Sequence, residues 1–272
     1  IMRGLLQAAY PLDFRILVSG SDSHADVITQ TFQLLGSRQA DGIVVLSNRL
    51  DVDTVGALAA QGVPFVLIGK PPAHYTDINW VDADNEACTA RVITHLIQQG
   101  HRRIAFVGGD PAVAVTRERL RGYQQAMQDA QLPACAQWID YGYFAEAGGY
   151  NAVARMLPLG QAAPTAYYAA NDLMAVGILR ALREQQMTVP QQVSVIGTND
   201  SAEATHVVPA LTTLRVPYAA MAVAAATLLI DAILTDEAIP PRQQVIACEL
   251  IERQSSGPAP LSSTVGQGDS IN

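Results

Sequence analysis

Apolar residues in this chain alternate between short solid runs and longer stripes with helical spacing. Arg15–Val18, Gly42–Leu46 and Val63–Ile68 are solid runs, and each predicts a strand that needs cover on both faces. Between them lie Ala25–Arg38, striped by Val27, Ile28, Phe32, Leu34 and Leu35, and Val52–Gln61, stopped by Gly62; both predict helices. After the loop Pro71–Trp80 and a loop edge at Val81–Asn85, a second series predicts helix Glu86–Gln99, strand Ile104–Val107, helix Arg117–Ala130, strand Gln137–Tyr141 and helix Glu146–Leu157. Strand Ala166–Ala170, helix Asp172–Gln186 and strand Val193–Ile196 complete it. Asp84 or Asn85 can cap the helix that follows, and Gly100 can stop it. Leu211–Val216 reads as an extended crossover, Tyr218–Leu234 as a helix and Val245–Ile251 as a last strand.

Repeated strand–helix–strand units imply parallel sheets covered by helices. The expected fold is α/β, with two Rossmann-like lobes and multiple chain crossovers. The expected division is residues 1–82 with 215–240 in an N-terminal lobe and 83–214 with 241–253 in a C-terminal lobe. From Ser255 onward Ser, Gly, Pro and polar residues dominate, so 254–272 is expected to be a disordered tail. Ligands of open α/β sheets bind beyond the carboxyl ends of the strands, and two facing lobes would place those ends along one cleft.

Composition narrows the function. The 272 residues are 49% hydrophobic and 15% charged, enough to bury a substantial core. A formal net charge of −8 repels phosphates and argues against nonspecific nucleic-acid binding by this segment. No apolar run reaches membrane-spanning length, because Ala219–Leu234 is interrupted by Asp231, and no secretory leader opens the chain. Cys88, Cys135 and Cys248 lie far apart without metal or redox spacing, which predicts reduced thiols.

Several motifs are weighed and set aside. Asp82, Asp84 and Glu86 have calcium-loop spacing, but the sixth and twelfth positions are Ala87 and Ile93 rather than Gly and Glu. The five histidines make no metal spacing, and His101 beside Arg102 and Arg103 reads as a surface turn. Gly108-Gly109 follows a strand but lies in no phosphate-binding motif and reads as a tight turn; no GxSxG elbow is present. No cofactor, metal or catalytic pair is expected.

The remaining polar residues cluster at predicted strand ends. Arg119 or Arg121, near the front of a helix, could reach a ligand with a forked guanidinium. Asn171 could cap its helix or bond a polyol, since its amide both donates and accepts. Asn199, in Gly197-Thr198-Asn199-Asp200, occupies an equivalent position. Phe144 could stack on a sugar or base, or belong to the core. Together they describe a small polar ligand that is held rather than transformed.

Val81–Asn85, His95-Leu96-Ile97 through Gly100-His101-Arg102-Arg103-Ile104-Ala105, Arg119 with Gly122-Tyr123, Ala170-Asn171-Asp172 with Met174-Ala175 and Gly177, Val195-Ile196-Gly197, and Pro209 with Leu211-Thr212-Thr213-Leu214 occur in one order along the chain. That order resembles the effector-binding core of the lactose/galactose repressor family of bacterial transcription regulators. The resemblance implies a periplasmic-binding-protein-like core in a cytoplasmic regulator that binds a small-molecule effector, most simply a sugar, and forms a homodimer. It implies that operator DNA is read by a helix-turn-helix headpiece absent from this chain, and that the effector closes or reorients the lobes. It also implies that the core's first strand and the following loop are missing ahead of the helix at Met2–Ala9, as in a fragment of a longer protein. By the same resemblance Arg119 matches the ligand-binding arginine, Phe144 the stacking aromatic and Asn171 the strand-end asparagine. Asn199 stands where many relatives carry aspartate, which suits a neutral ligand. Ser47 and Lys70 follow first-lobe strands and are further candidates. A solute-binding protein of a sugar transporter is the alternative reading.

Overall fold

The structure, a computed structural model, describes residues 1–19, 29, 32–37, 39–46, 52–60, 62–72, 75–235 and 240–261. These form two compact units, one comprising Ile1–Cys88, Ala112–Glu118 and Val216–Glu249, the other Thr89–Pro111, Arg119–Arg215 and Leu250–Asn272.

In the first unit, strands β1 (Ile43–Leu46), β2 (Phe65–Ile68), β3 (Asn79–Ala83) and β9 (Gln243–Ile246) lie in the order β1-β2-β3-β9, with every pair parallel. Helices α1 (Met2–Ala9), α2 (Val52–Ala60) and α8 (Tyr218–Leu234) belong to the same unit. Val55 of α2, Leu67, Ile78 and Trp80 form a buried cluster. The apolar α8 follows from its composition, with Met221, Ala222, Ala225, Leu228, Leu229 and Ile230 buried.

Three expectations change here. Val81–Ala83 is strand rather than loop edge, because Val81 and Ala83 are buried between β2 and β9; the polar Asp82 between them hides the strand in the sequence. Arg15–Val18 is in no strand, and Leu17 and Val18 are 62% and 71% exposed. The expected last strand Val245–Ile251 is two strands. Gln243–Ile246 pairs beside β3 in the first unit, and β10 (Glu249–Ile251) joins the second sheet. The chain therefore leaves the first unit at Glu249 rather than at 240, and Ala112–Glu118 also belongs to that unit.

The second unit holds six strands in the order β10-β8-β7-β6-β4-β5: β4 (Ile104–Gly108), β5 (Ile139–Tyr141), β6 (Ala166–Ala169), β7 (Ser194–Thr198), β8 (Thr212–Arg215) and β10. The pairs β5-β4, β4-β6, β6-β7 and β7-β8 are parallel. Every residue of β4, β6 and β7 is buried, as solid apolar runs require. Leu211–Val216, expected as a crossover, contains strand β8. Helices α5 (Glu146–Met156) and α6 (Asp172–Glu184) pack on each other and, with Val153, Met156, Ile178 and Leu182, bury one face. Helices α3 (Asn85–Gln98) and α4 (Ala114–Asp129) each begin in the first unit and end in the second, and a short helix α7 spans Ala202–His206.

Residues 254–261 are ordered, contrary to the expected tail; 262–272 lie outside the described residues. Ser255 is fully buried: its Oγ donates to Val195 O at 2.6 Å and accepts from Thr212 N at 2.8 Å, while Val195 N donates to Ser255 O at 2.7 Å. His101 is likewise fully buried rather than on a surface turn. Its Nδ1 lies 3.0 Å from Thr165 Oγ1, and its Nε2 lies 3.0 Å from Ser194 Oγ and 3.1 Å from Gly257 O. Burial lowers its pKa from the ordinary 6.5. A polar composition hides this segment because its hydroxyls serve the sheet instead of water. Ser255→Ala leaves two buried backbone groups without that partner and is expected to cost about 1–3 kcal/mol of unfolding free energy, measured by urea denaturation. A variant as stable as the wild type contradicts the assignment.

Candidate functional site

The order of the second sheet contains a reversal. After β4 the chain adds β5 on one side, then returns to place β6 on the other side of β4 and builds outward through β7 and β8. A crevice at the carboxyl edge is expected where connections diverge in this way. The residues following β4, β5, β6 and β7 at that edge are Gly109, Gly142–Phe144, Ala170–Asp172 and Asn199–Asp200.

Arg119 resolves the choice left open between the two arginines. It is 5% exposed and donates from Nη1 to Ala170 O at 2.5 Å, whereas Arg121 is exposed. The buried guanidinium is thus aimed at the end of β6, at the carboxyl edge.

Asn171 is the N-cap of α6: its Oδ1 accepts from Met174 N at 2.8 Å, and its Nδ2 donates to Phe144 O at 2.9 Å. Phe144 is half-buried, packs against the unit's core and places its ring over Gly109, where a Cβ would stand 1.9 Å from Cζ. The Gly108-Gly109 turn therefore clears room for a ring. Arg119, Phe144 and Asn171 thus meet through the β6–α6 junction.

Asn199 lies at the end of the neighbouring β7, half-buried, at φ +112°, with its N–H donating to Leu214 O at 2.8 Å. The next residue, Asp200, accepts from Arg253 at 2.6 Å and Arg215 at 2.7 Å. Burial raises its carboxyl, but the two guanidiniums outweigh that and hold it below the ordinary value. Asp172, 1% exposed, accepts from Thr213 Oγ1 at 2.5 Å and Ser201 N at 2.7 Å. Burial raises its pKa despite those donors. Gly197 leaves the space for this carboxylate, since a Cβ there would meet Asp172 Oδ1 at 2.3 Å. Sequence reasoning missed the tethering of Asp200 and the burial of Asp172, because Asp200 depends on Arg215 of β8 and Arg253 of the C-terminal segment, and Asp172 on Thr213 of β8 and Ser201 after β7.

The two first-unit candidates fare differently. Ser47 lies outside the described residues. Lys70 Nζ pairs with Glu118 Oε1 at 3.3 Å, and Glu118 Oε2 accepts from Asn85 Nδ2 at 3.0 Å. Asp84 caps α3 by accepting from Ala87 N at 3.0 Å. Asp82, in the same group, is pushed up to about 6, first by burial and then by the Glu118 carboxylate, against the pull of the Ala83 N–H and Lys70. Among the described residues no group of three or more His, Cys, Asp or Glu could hold a metal ion, and no helix is long and apolar enough to cross a membrane.

Comparison with known proteins bears on this geometry. Residues 93–256 match the periplasmic binding protein-like domain. A solved regulatory protein of the LacI family from Chloroflexus aggregans is 30% identical, with a TM-score of 0.87 over 93% of this chain and 90% of that one. The chain belongs to the LacI family of transcriptional regulators. Within that family it is similar to the HTH-type transcriptional regulator CelR of Thermobifida fusca, at 35% identity over 81% of this chain, and it spans 65% of that protein's length. A solved CelR–cellobiose complex is 30% identical, with a TM-score of 0.86 over 94% of this chain and 77% of that one.

The raised pKa of Asp82 gives this LacI-family chain a stability dependence of defined sign. The folded state binds that proton more tightly than the unfolded state, whose carboxyl has the ordinary 3.8. The contribution is therefore complete below pH 3.8 and is lost as pH rises towards about 6. Asp82→Asn keeps an acceptor for Ala83 N–H and does not titrate. Its stability relative to the wild type is expected to rise by about 2 kcal/mol between pH 4 and pH 6.5, followed by chemical denaturation across that range. A difference that does not change with pH contradicts the assignment.

Proposed function

We propose that this chain is the effector-binding and dimerisation core of a transcriptional regulator that senses a small neutral metabolite, most simply a sugar. Arg119, Phe144 and Asn199, with Asn171 between them, hold the effector at the carboxyl edge of the second sheet. The observation that carries this reading is the buried Arg119, tied to the end of β6 at the sheet's reversal, with the amide of Asn199 following β7 and the ring of Phe144, from the turn after β5, lying over Gly109 at the end of β4. A guanidinium, an amide and an aromatic face suit hydroxyls and the apolar side of a pyranose.

The placement of the charges argues against a cationic effector. Asp200 is engaged by two arginines and Asp172 is buried under two donors, so neither offers a free carboxylate to a cation. The cellobiose held by CelR supports a sugar. In the complete protein, operator DNA is read by a helix-turn-helix headpiece, and the effector biases a two-state equilibrium of a homodimer. The relatives are transcription regulators, which favours this reading over a transporter's binding protein or an enzyme.

Arg119→Ala removes charge-assisted hydrogen bonds of about 1.5–3 kcal/mol each. It is expected to weaken binding of the tightest ligand in a mono- and disaccharide panel by about tenfold to a hundredfold, read by titration calorimetry, with the native circular dichroism retained. Unchanged affinity removes Arg119 from the site.

A further inference from the structure

Tyr143 and Phe144 are successive non-glycine residues at φ +52° and +62°. Ala145 N donates to Gly142 O at 3.0 Å, so Gly142–Ala145 is a tight turn with both central residues left-handed, a conformation that normally selects Asn and Gly. An L residue with a large side chain occupies that region at a cost. Such strain persists only where surrounding structure over-determines it, and it concentrates at functional positions.

Two features hold this turn. Gly109 leaves the space the Phe144 ring fills, and Asn171 Nδ2 donates to the Phe144 carbonyl. The orientation of the Asn171 amide is dictated by chemistry: Oδ1 must face the Met174 N–H and Nδ2 must face the carbonyl. Aspartate would cap α6 equally well, but its carboxylate only accepts and supplies no donor for the Phe144 carbonyl. The amide oxygen therefore serves the helix and the amide nitrogen serves the turn.

We infer that Asn171 is a positioning residue, whose amide holds the strained Tyr143-Phe144 turn so that the aromatic ring is presented at the carboxyl edge in advance of the effector. The effector contact belongs to Phe144, and Asn171 acts through it. This rests on the proposed effector reading only for its consequence in binding; the conformational claim stands on the turn itself.

The test has two arms. Crystal structures of the wild type and Asn171→Asp are compared: aspartate keeps the cap and supplies no donor. The expected result is that residues 143 and 144 leave the left-handed region and the ring moves off Gly109 in the variant. An unchanged turn overturns the inference, whatever the ligand. The second arm measures cellobiose affinity by calorimetry for wild type, Asn171→Asp, Phe144→Ala and the double variant. Each single change is expected to weaken binding about tenfold, and the double variant about tenfold rather than a hundredfold. Multiplying losses show that Asn171 contacts the sugar independently and overturn the inference. If Phe144→Ala leaves cellobiose affinity unchanged, or wild type does not bind it, the failure lies with the effector reading for that sugar, and the crystallographic arm still decides the role of Asn171.

Discussion

Three consecutive residues where β6 becomes α6 tie together most of the second unit's carboxyl edge. Ala170 offers its carbonyl to Arg119, Asn171 caps the helix and pins the turn after β5, and Asp172 gathers Thr213 from β8 and Ser201 after β7. Each bond is at least partly buried, so each costs more to break than its counterpart in water. The junction can do this because β6 lies beside the reversal in the sheet, with β4 on one side and β7 on the other. A rigid set of strand ends is the physical precondition for a site that recognises a ligand by the direction of its hydrogen bonds.

The architecture was legible where burial is complete. Solid apolar runs at β2, β4, β6 and β7 announced strands covered on both faces, and Tyr218–Leu234 was recognisable as one helix over its full length. Elements whose identity depends on partners were not. Asp82 interrupts the apolar signal of β3 although the strand is interior. Gln243–Ile246 is largely exposed on both faces and has no alternation to mark it as an edge strand. Residues 254–261 carry a composition typical of linkers, yet Ser255 and Gly257 are built into the amino-end side of the sheet through Val195, Ser194 and His101. Periodicity reports burial against a core; it is silent on polar segments whose hydrogen bonds are all made internally.

The candidate site was legible as residue types at strand ends, and less so as roles. Of Arg119 and Arg121, spacing alone could not choose, since both lie near the front of one helix; burial decides for Arg119. Asn171 combines the two functions that had been alternatives at the level of sequence, cap and amide donor, but the donor is directed at a backbone carbonyl. Phe144 likewise joins the core and the edge at once, over a glycine whose purpose the sequence did not reveal. The tethering of Asp200 by Arg215 and Arg253 required contacts more than a dozen residues away in the chain, which no local pattern encodes.

In the proposed function a small polar ligand seats at the carboxyl edge of the second sheet. A crystal structure of the protein grown with the tightest-binding sugar tests that most directly. The expected result is sugar density within hydrogen-bonding distance of the Arg119 guanidinium and the Asn199 amide, with its apolar face on the ring of Phe144. A sugar bound elsewhere, with that edge empty, would contradict it.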